Sequence, residues 1–192
     1  MVTRRISSAT VRAPGHAKGP TDSSRRPSSD ATRTRILDAA EELFAFLGYD
    51  ATSIRDVADK AGVRLALVTY HTGVKEALFD QVVARRASAM AELRNAFLDA
   101  ALARTRGAPL SIEEIVTGYV HPFVERSSHG GSGWKHYAQL VARLANSPRW
   151  GVVISKHYDE VARRYLREMH RALPDLDDLE IHHRFSFMVG TM

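Results

Sequence analysis

The sequence predicts an all-α protein, with a three-helix N-terminal unit joined by one long helix to a larger helical C-terminal domain. Three observations carry that prediction. Apolar residues recur at helical spacing from Ile36 onward, and capping residues and glycines stand where helices would start and stop. The one strand-like run, residues 65–70, has no second strand to pair with.

In the first helix Ile36, Ala39, Ala40, Leu43, Phe44 and Leu47 fall at i, i+3, i+4, i+7, i+8 and i+11, and Gly48 stands at the C-cap position. The second opens on a capping box, in which Ser53 accepts from a free backbone N–H and Asp56 reaches back. Its short stripe, Ile54, Val57, Ala58 and Ala61, stops at Gly62. Val68, Thr69 and Tyr70 favour a pleated surface, but a strand isolated between helices is unstable. A short helix reached through a tight turn makes a helix-turn-helix instead. Ala58 is small where the two helices must cross, and Val63 and Val68 are expected to face the core. The outer face then carries Arg64, Leu65, Leu67, Thr69, Tyr70 and His71, with Lys75 at the start of the next helix. Hydroxyls, a ring, an imidazole and a lysine suit phosphate oxygens and base edges.

Leu78, Val82, Ala89, Leu93 and Phe97 mark the long connecting helix, which runs to about residue 103, before the "RTRGAPL" break. "SIEE" at Ser111 opens the next helix with a capping box, and Pro122 is expected to end or kink it. "SSHGGSG" reads as a flexible loop, residues 134–145 as a helix, and Ser147-Pro148 as the start of a longer one to about residue 173. Pro174 is expected to open the last. The closing "IHHRFSFMVGTM" puts Phe185, Met188, Val189 and Met192 on one stripe with no cap after it. The expectation is either a C-terminal truncation or a dimer made by one helix per subunit.

Composition narrows the function classes. Without cysteine there is no disulfide framework, thiolate nucleophile or cysteine metal site, which fits a reducing cytoplasm. No run of about 18 apolar residues is present to span a membrane. "MVTRRISSATVRAPG" lacks the apolar core of a secretory signal. The expected location is cytoplasmic, with no membrane partner. The net charge of +5 does not by itself indicate nucleic acid. Residues 1–30 carry six Lys/Arg against two Asp/Glu, whereas residues 31–80 carry six against eight, so where individual cations point matters more. Residues 1–30 mix Ser, Thr, Pro, Gly and Arg with almost no large apolar side chain, and read as a disordered basic tail.

Patterns that could indicate catalysis are weak. "HGGSGW" at His129 is similar to an esterase oxyanion loop, but a nucleophile elbow needs G-x-S-x-G after a strand. Of the seven histidines between His121 and His183, the adjacent His182 and His183 diverge on a helix and would seldom chelate together. No catalytic residue, metal site or cofactor is therefore expected.

"TRTRILDAAEELFAFLGYDATSIRDVADKAGVRLALVTYHTGVKEALF", residues 32–79, resembles the N-terminal domain of the tetracycline-repressor (TetR) family of bacterial transcriptional regulators. The likeness rests on the run from Gly48 through Thr52, Ser53, Ile54, Arg55, Asp56, Val57 and Ala58, the Ala61-Gly62-Val63 turn, Tyr70-His71, and Lys75-Glu76 with Leu78-Phe79. It implies a helix-turn-helix DNA-binding domain over residues 31–79 and a ligand-binding and dimerisation domain over residues 80–192. Ser53, Arg55, Arg64, Leu65, Leu67, Thr69, Tyr70, His71 and Lys75 are then the candidate contacts to double-stranded operator DNA. A homodimer would place two recognition helices in successive major grooves. A small-molecule effector would release it, in a pocket for which Leu93, Phe97, Tyr119, Phe123, Trp134, Tyr137, Trp150 and Tyr158 are the candidate lining. Other readings are a helical enzyme, or an interaction module that has lost DNA binding. Three residues depart from the family pattern. Arg64 replaces a small polar residue, Thr72 an aromatic or apolar one, and Val74 a capping Ser or Asn. The lost cap is expected to lower stability by about 1 kcal/mol.

Overall fold

The Ser28 hydroxyl accepts from the Ala31 N–H at 3.1 Å and so starts the first helix, α1 (Ser29–Leu47). The computed structural model describes residues 28–145 and 147–191. Ser29 and Asp30, expected in the tail, therefore belong to α1, while the tail reading for residues 1–27 lies outside the described residues. Gly48 ends α1 at φ 84°, a value that suits a residue without Cβ, and its N–H returns to the Phe44 carbonyl. After the 49–53 loop come α2 (Ile54–Ala61) and α3 (Leu65–Thr72), separated by Gly62 in the left-handed region. The expected capping box on α2 is present in both directions, with Ser53 and Asp56 as partners.

The long helix, α4 (Lys75–Thr105), joins this head to a body of α5 (Ile112–His129), α6 (Ser132–Ala145), a 3-10 turn (Pro148–Trp150), α7 (Gly151–Ala172) and α8 (Asp178–Gly190). Every element among the described residues is helical, as the periodicity predicts. The head is not closed on itself. Ile36, Phe44, Val57, Val68, Leu78 and Val82 are buried together, and Leu140 and Leu144 of α6 complete their cluster. A second cluster, around Leu98, Ile115, Tyr165 and Ile181, fills the body.

Five local expectations need correction. Leu47 is exposed, because α1 turns its stripe away from the core in its last turn. On α4 the deep stripe is Ala87, Met90, Arg94, Leu98 and Ala101, one residue out of phase with Ala89, Leu93 and Phe97, which are half-buried. α5 runs unbroken through Pro122. Packing overrides the local break there: Gly118 lets α4 come so close that a Cβ would collide with the Phe97 ring, and Arg94 Nε donates to the Tyr119 carbonyl in the turn below the proline. Of "SSHGGSG", Ser127, Ser128 and His129 extend α5, Ser132 and Gly133 open α6, and only Gly130 and Gly131 lie between helices. The last helix starts at Asp178 rather than Pro174, because the Asp177 carboxylate caps it by accepting from the Glu180 N–H at 2.7 Å.

Candidate nucleic-acid interface and ligand cavity

Only Val68 and Thr72 of α3 are buried, so the helix rests on the head by one edge and offers the other. Tyr70 is 81% exposed, Leu65 44% and Leu67 39%, and Arg55, Arg64 and Thr69 are exposed beside them. His71 is half-buried with its ring edge-on to Tyr70 at 5.1 Å. Large apolar side chains left in water next to two arginines fit thymine methyls flanked by phosphates. Ser53 is less free than the others. Its hydroxyl accepts from the Asp56 N–H at 3.1 Å and donates to Asp56 Oδ2 at 2.7 Å, and that donation, with the Ser53 N–H to the same oxygen at 2.8 Å, holds the Asp56 carboxyl below its usual pKa.

Lys75 opens α4 with Nζ 4.2 Å above the Tyr49 ring and 3.4 Å from the Asp50 carbonyl oxygen. Val74 supplies no side-chain cap, and in the first turn of α4 the Glu76 carboxylate already accepts from its own backbone N–H. The Lys75 ammonium is the cation this helix start offers to a phosphate. Thr72 replaces apolar packing with a hydrogen bond, its hydroxyl donating to the Val68 carbonyl at 2.8 Å.

Sequence reasoning missed how the head is fastened to the body. Tyr49, in the loop after α1, packs edge-on to Phe79 and Trp150 at 5.0 Å each and lies beside Phe44. Burial, and a hydrogen bond to Glu76, push its phenol up to about 12. Arg149 from the 3-10 turn donates to both Asp50 carboxylate oxygens at 2.9 Å. Arg143 of α6 caps the end of α1, Nε donating to the Ala45 carbonyl at 3.0 Å and Nη2 to the Phe46 carbonyl at 3.1 Å. Glu41 of α1, 1% exposed, takes Arg86 through two bonds of 2.8 Å and Arg85 through one of 2.9 Å. Burying the Glu41 charge is tolerable because two half-buried guanidinium groups bond it, although Arg85 Nε is left without a partner.

Between α4, α5, α6, α7 and α8 lies a cavity of about 80 Å³. Tyr119, Phe123, Tyr137 and Tyr158 line it, as expected. Leu93, Phe97, Trp134 and Trp150 do not. Leu93 and Phe97, out of phase with the inner stripe, border an open groove of about 520 Å³ on the other side of α5, with His121 and Arg126. Trp134 packs behind the cavity wall under the Arg86 guanidinium at 5.1 Å. Trp150 belongs to the Tyr49 cluster. The cavity has one charged wall group that the sequence reading did not name, Arg94. Its position on an apolar helical stripe was the available signal. The Tyr137 and Tyr158 hydroxyls meet at 3.0 Å, and burial raises both pKa values, Tyr137 to about 12. Both phenols are neutral at ordinary pH.

Residues 36–82 match the family model described as bacterial regulatory proteins, tetR family, and residues 117–192 match the tetracyclin repressor-like C-terminal domain. Over 133 residues the chain is 30% identical to the HTH-type transcriptional repressor KstR2 of Mycobacterium tuberculosis, covering 65% of this chain and 58% of that protein. KstR2 of Rhodococcus jostii is 41% identical over 51 residues, 27% of this chain and 25% of that one. The chain thus spans less than two thirds of the length of the curated relatives it matches. Among solved structures, the hemolysin II transcriptional regulator HlyIIR superposes with a TM-score of 0.61 at 20% identity, over 84% of this chain and 87% of that one. The ketosteroid transcriptional regulator KstR2 of Mycobacterium tuberculosis gives 0.56 at 21% identity, over 85% and 84%. These likenesses are of fold, and they agree with family matches at both ends of the helical architecture. The chain belongs to the TetR family, whose members are DNA-binding transcriptional regulators rather than enzymes.

Proposed function

We propose that the chain is a homodimeric repressor that reads operator DNA with α3 and loses affinity for it when a small molecule fills the cavity beneath α6. The observation that carries this reading is the outward face of α3. Leu65, Leu67, Thr69 and Tyr70 are exposed together, with Arg55, Arg64 and Lys75 at its margins. Leu65 and Leu67 supply apolar base contacts, and the cations with Tyr70 hold phosphates. The repressor name carried by KstR2 supports the direction of regulation.

The exposed side of α8 supports the dimer reading. It buries Ile181 and Phe185 against the body and leaves Leu179 and Phe187, two turns apart on one stripe, 65% and 76% exposed. A second copy covering that stripe sets the spacing of the two recognition helices, about 34 Å for half-sites one turn apart. Release is then a matter of geometry. α6 carries Tyr137 and Leu144 on the cavity wall and Arg143 on the end of α1, so a ligand that pushes α6 turns the head. It releases DNA only by as much as it prefers the turned state. Operator binding also supports a cytoplasmic location for the working protein.

The test is fluorescence anisotropy with DNA from upstream of its own gene. Replacing both Tyr70 and Lys75 with alanine is expected to weaken binding at least about tenfold, and on unrelated duplexes too, since phosphate contacts carry no sequence. Wild-type affinity in the double variant would mean that DNA docks elsewhere.

A further inference from the structure

Arg94 is the one fully buried arginine among the described residues. Arg85 and Arg86 share Glu41, and Arg164 pairs with Asp99, but Arg94, 4% exposed, forms no ion pair among the described residues. Its guanidinium makes one hydrogen bond there, Nε to the Tyr119 carbonyl at 2.9 Å, and lies 3.7 Å from the Tyr119 ring centre. The rest of its donor fork has no protein acceptor among those residues, and the side chain forms part of the cavity wall. A ring face and one carbonyl do not replace the hydration a guanidinium loses on burial. Such a group is a standing demand for an anion, and a carboxylate answers it with two parallel bonds.

The remaining wall sets the rest of the ligand. Phe123, Leu144, Ile154 and Val189 are apolar, and of the three tyrosines in the wall Tyr137 and Tyr158 are already bonded to each other through their hydroxyls. Among the described residues no second cation lines the cavity, so a second negative charge would lie against hydrocarbon. We propose that the effector is a monocarboxylic acid with an apolar body, its carboxylate clasped by Arg94 and its carbons among Phe123, Leu144, Ile154 and Val189. This names the ligand class of the effector site and rests on the regulator reading above. The present volume of about 80 Å³ is smaller than the ~150 Å³ cavity that encloses benzene. The acid's carbons therefore displace α6 at Leu144, next to the Arg143 that holds α1.

The experiment measures binding of hexanoate and benzoate against hexanamide and benzamide, by calorimetry and thermal shift. The wild type is expected to bind each acid about ten to a hundred times more tightly than its amide, the range of a charge-assisted pair. Arg94→Met is expected to bring that ratio close to one, and Arg94→Lys to keep part of it. Equal binding of acid and amide by the wild type overturns the assignment, as does a wild type that binds none of the acids, or an undiminished ratio in Arg94→Met. The acid-to-amide ratio in the wild type stands even if Arg94→Met fails to fold. Operator binding by the ligand-free wild type is read separately, so failure of the regulator reading is distinguishable from failure of the carboxylate assignment.

Discussion

At the scale of single residues, the charges that matter are those whose partners come from elsewhere in the chain. Asp80 on α4 takes Lys156 Nζ at 2.7 Å and sits 2.8 Å from His157 Nε2, both on α7. Burial works to raise its pKa, but the hydrogen bonds from Lys156 and His157 together outweigh it and hold the carboxyl below its usual value. The folded value lies below the unfolded one, about 3.9, so this clasp stabilises the protein above that pH. The contribution disappears as pH falls through the folded value. Its side chain is 32% exposed, so the effect is about 1 kcal/mol or less. The urea midpoint of the wild type is therefore expected to fall more between pH 5 and about 3 than that of Asp80→Asn. Parallel pH curves for the two proteins would show that the clasp contributes nothing. Residue contacts of this kind were barely legible in the sequence. Arg143 acts on backbone carbonyls 98 and 97 positions away, and no periodicity encodes that. The α3 face was legible, because helical phase alone decides that Val68 turns inward while Tyr70 turns out.

At the scale of elements, the sequence reading succeeded where a cap or a stripe is local and failed where a neighbour decides. Ser53, Gly62 and Ser111 end or start their helices as their chemistry requires. Pro122 did not break α5, because α4 packs across Gly118 and Arg94 serves the Tyr119 carbonyl. The phase error on α4 had a similar source. Leu93 and Phe97 look like core residues, yet the inner stripe contains an arginine that a hydrophobic count passes over. The departure at Val74 does leave α4 without a side-chain cap. Val74→Ser is expected to stabilise the protein by about 1 kcal/mol in urea unfolding, through an N-cap bond to the first turn. No gain in stability would mean that the first-turn N–H groups are already satisfied, in the way the Glu76 carboxylate satisfies its own N–H.

At the scale of the whole molecule, the proposed reading gives DNA two partners: the exposed face of α3 and the basic residues at the start of the sequence. Arg4, Arg5, Arg12, Lys18, Arg25 and Arg26 add cations with no sequence preference. Deleting residues 1–27, which leaves the Ser28 cap of α1 in place, is expected to flatten the dependence of log affinity on log salt while keeping the fold. An unchanged slope would make those residues passive in binding.

Specific reading of DNA by the head is the claim on which the rest depends, and competition between two duplexes tests it directly. Affinity for the upstream operator is compared with affinity for a scrambled duplex of equal length, at one physiological salt concentration. A ratio of about a thousand or more is expected for the wild type, falling when Leu65 and Leu67 are both replaced by alanine. Equal affinity for the two duplexes would contradict the account.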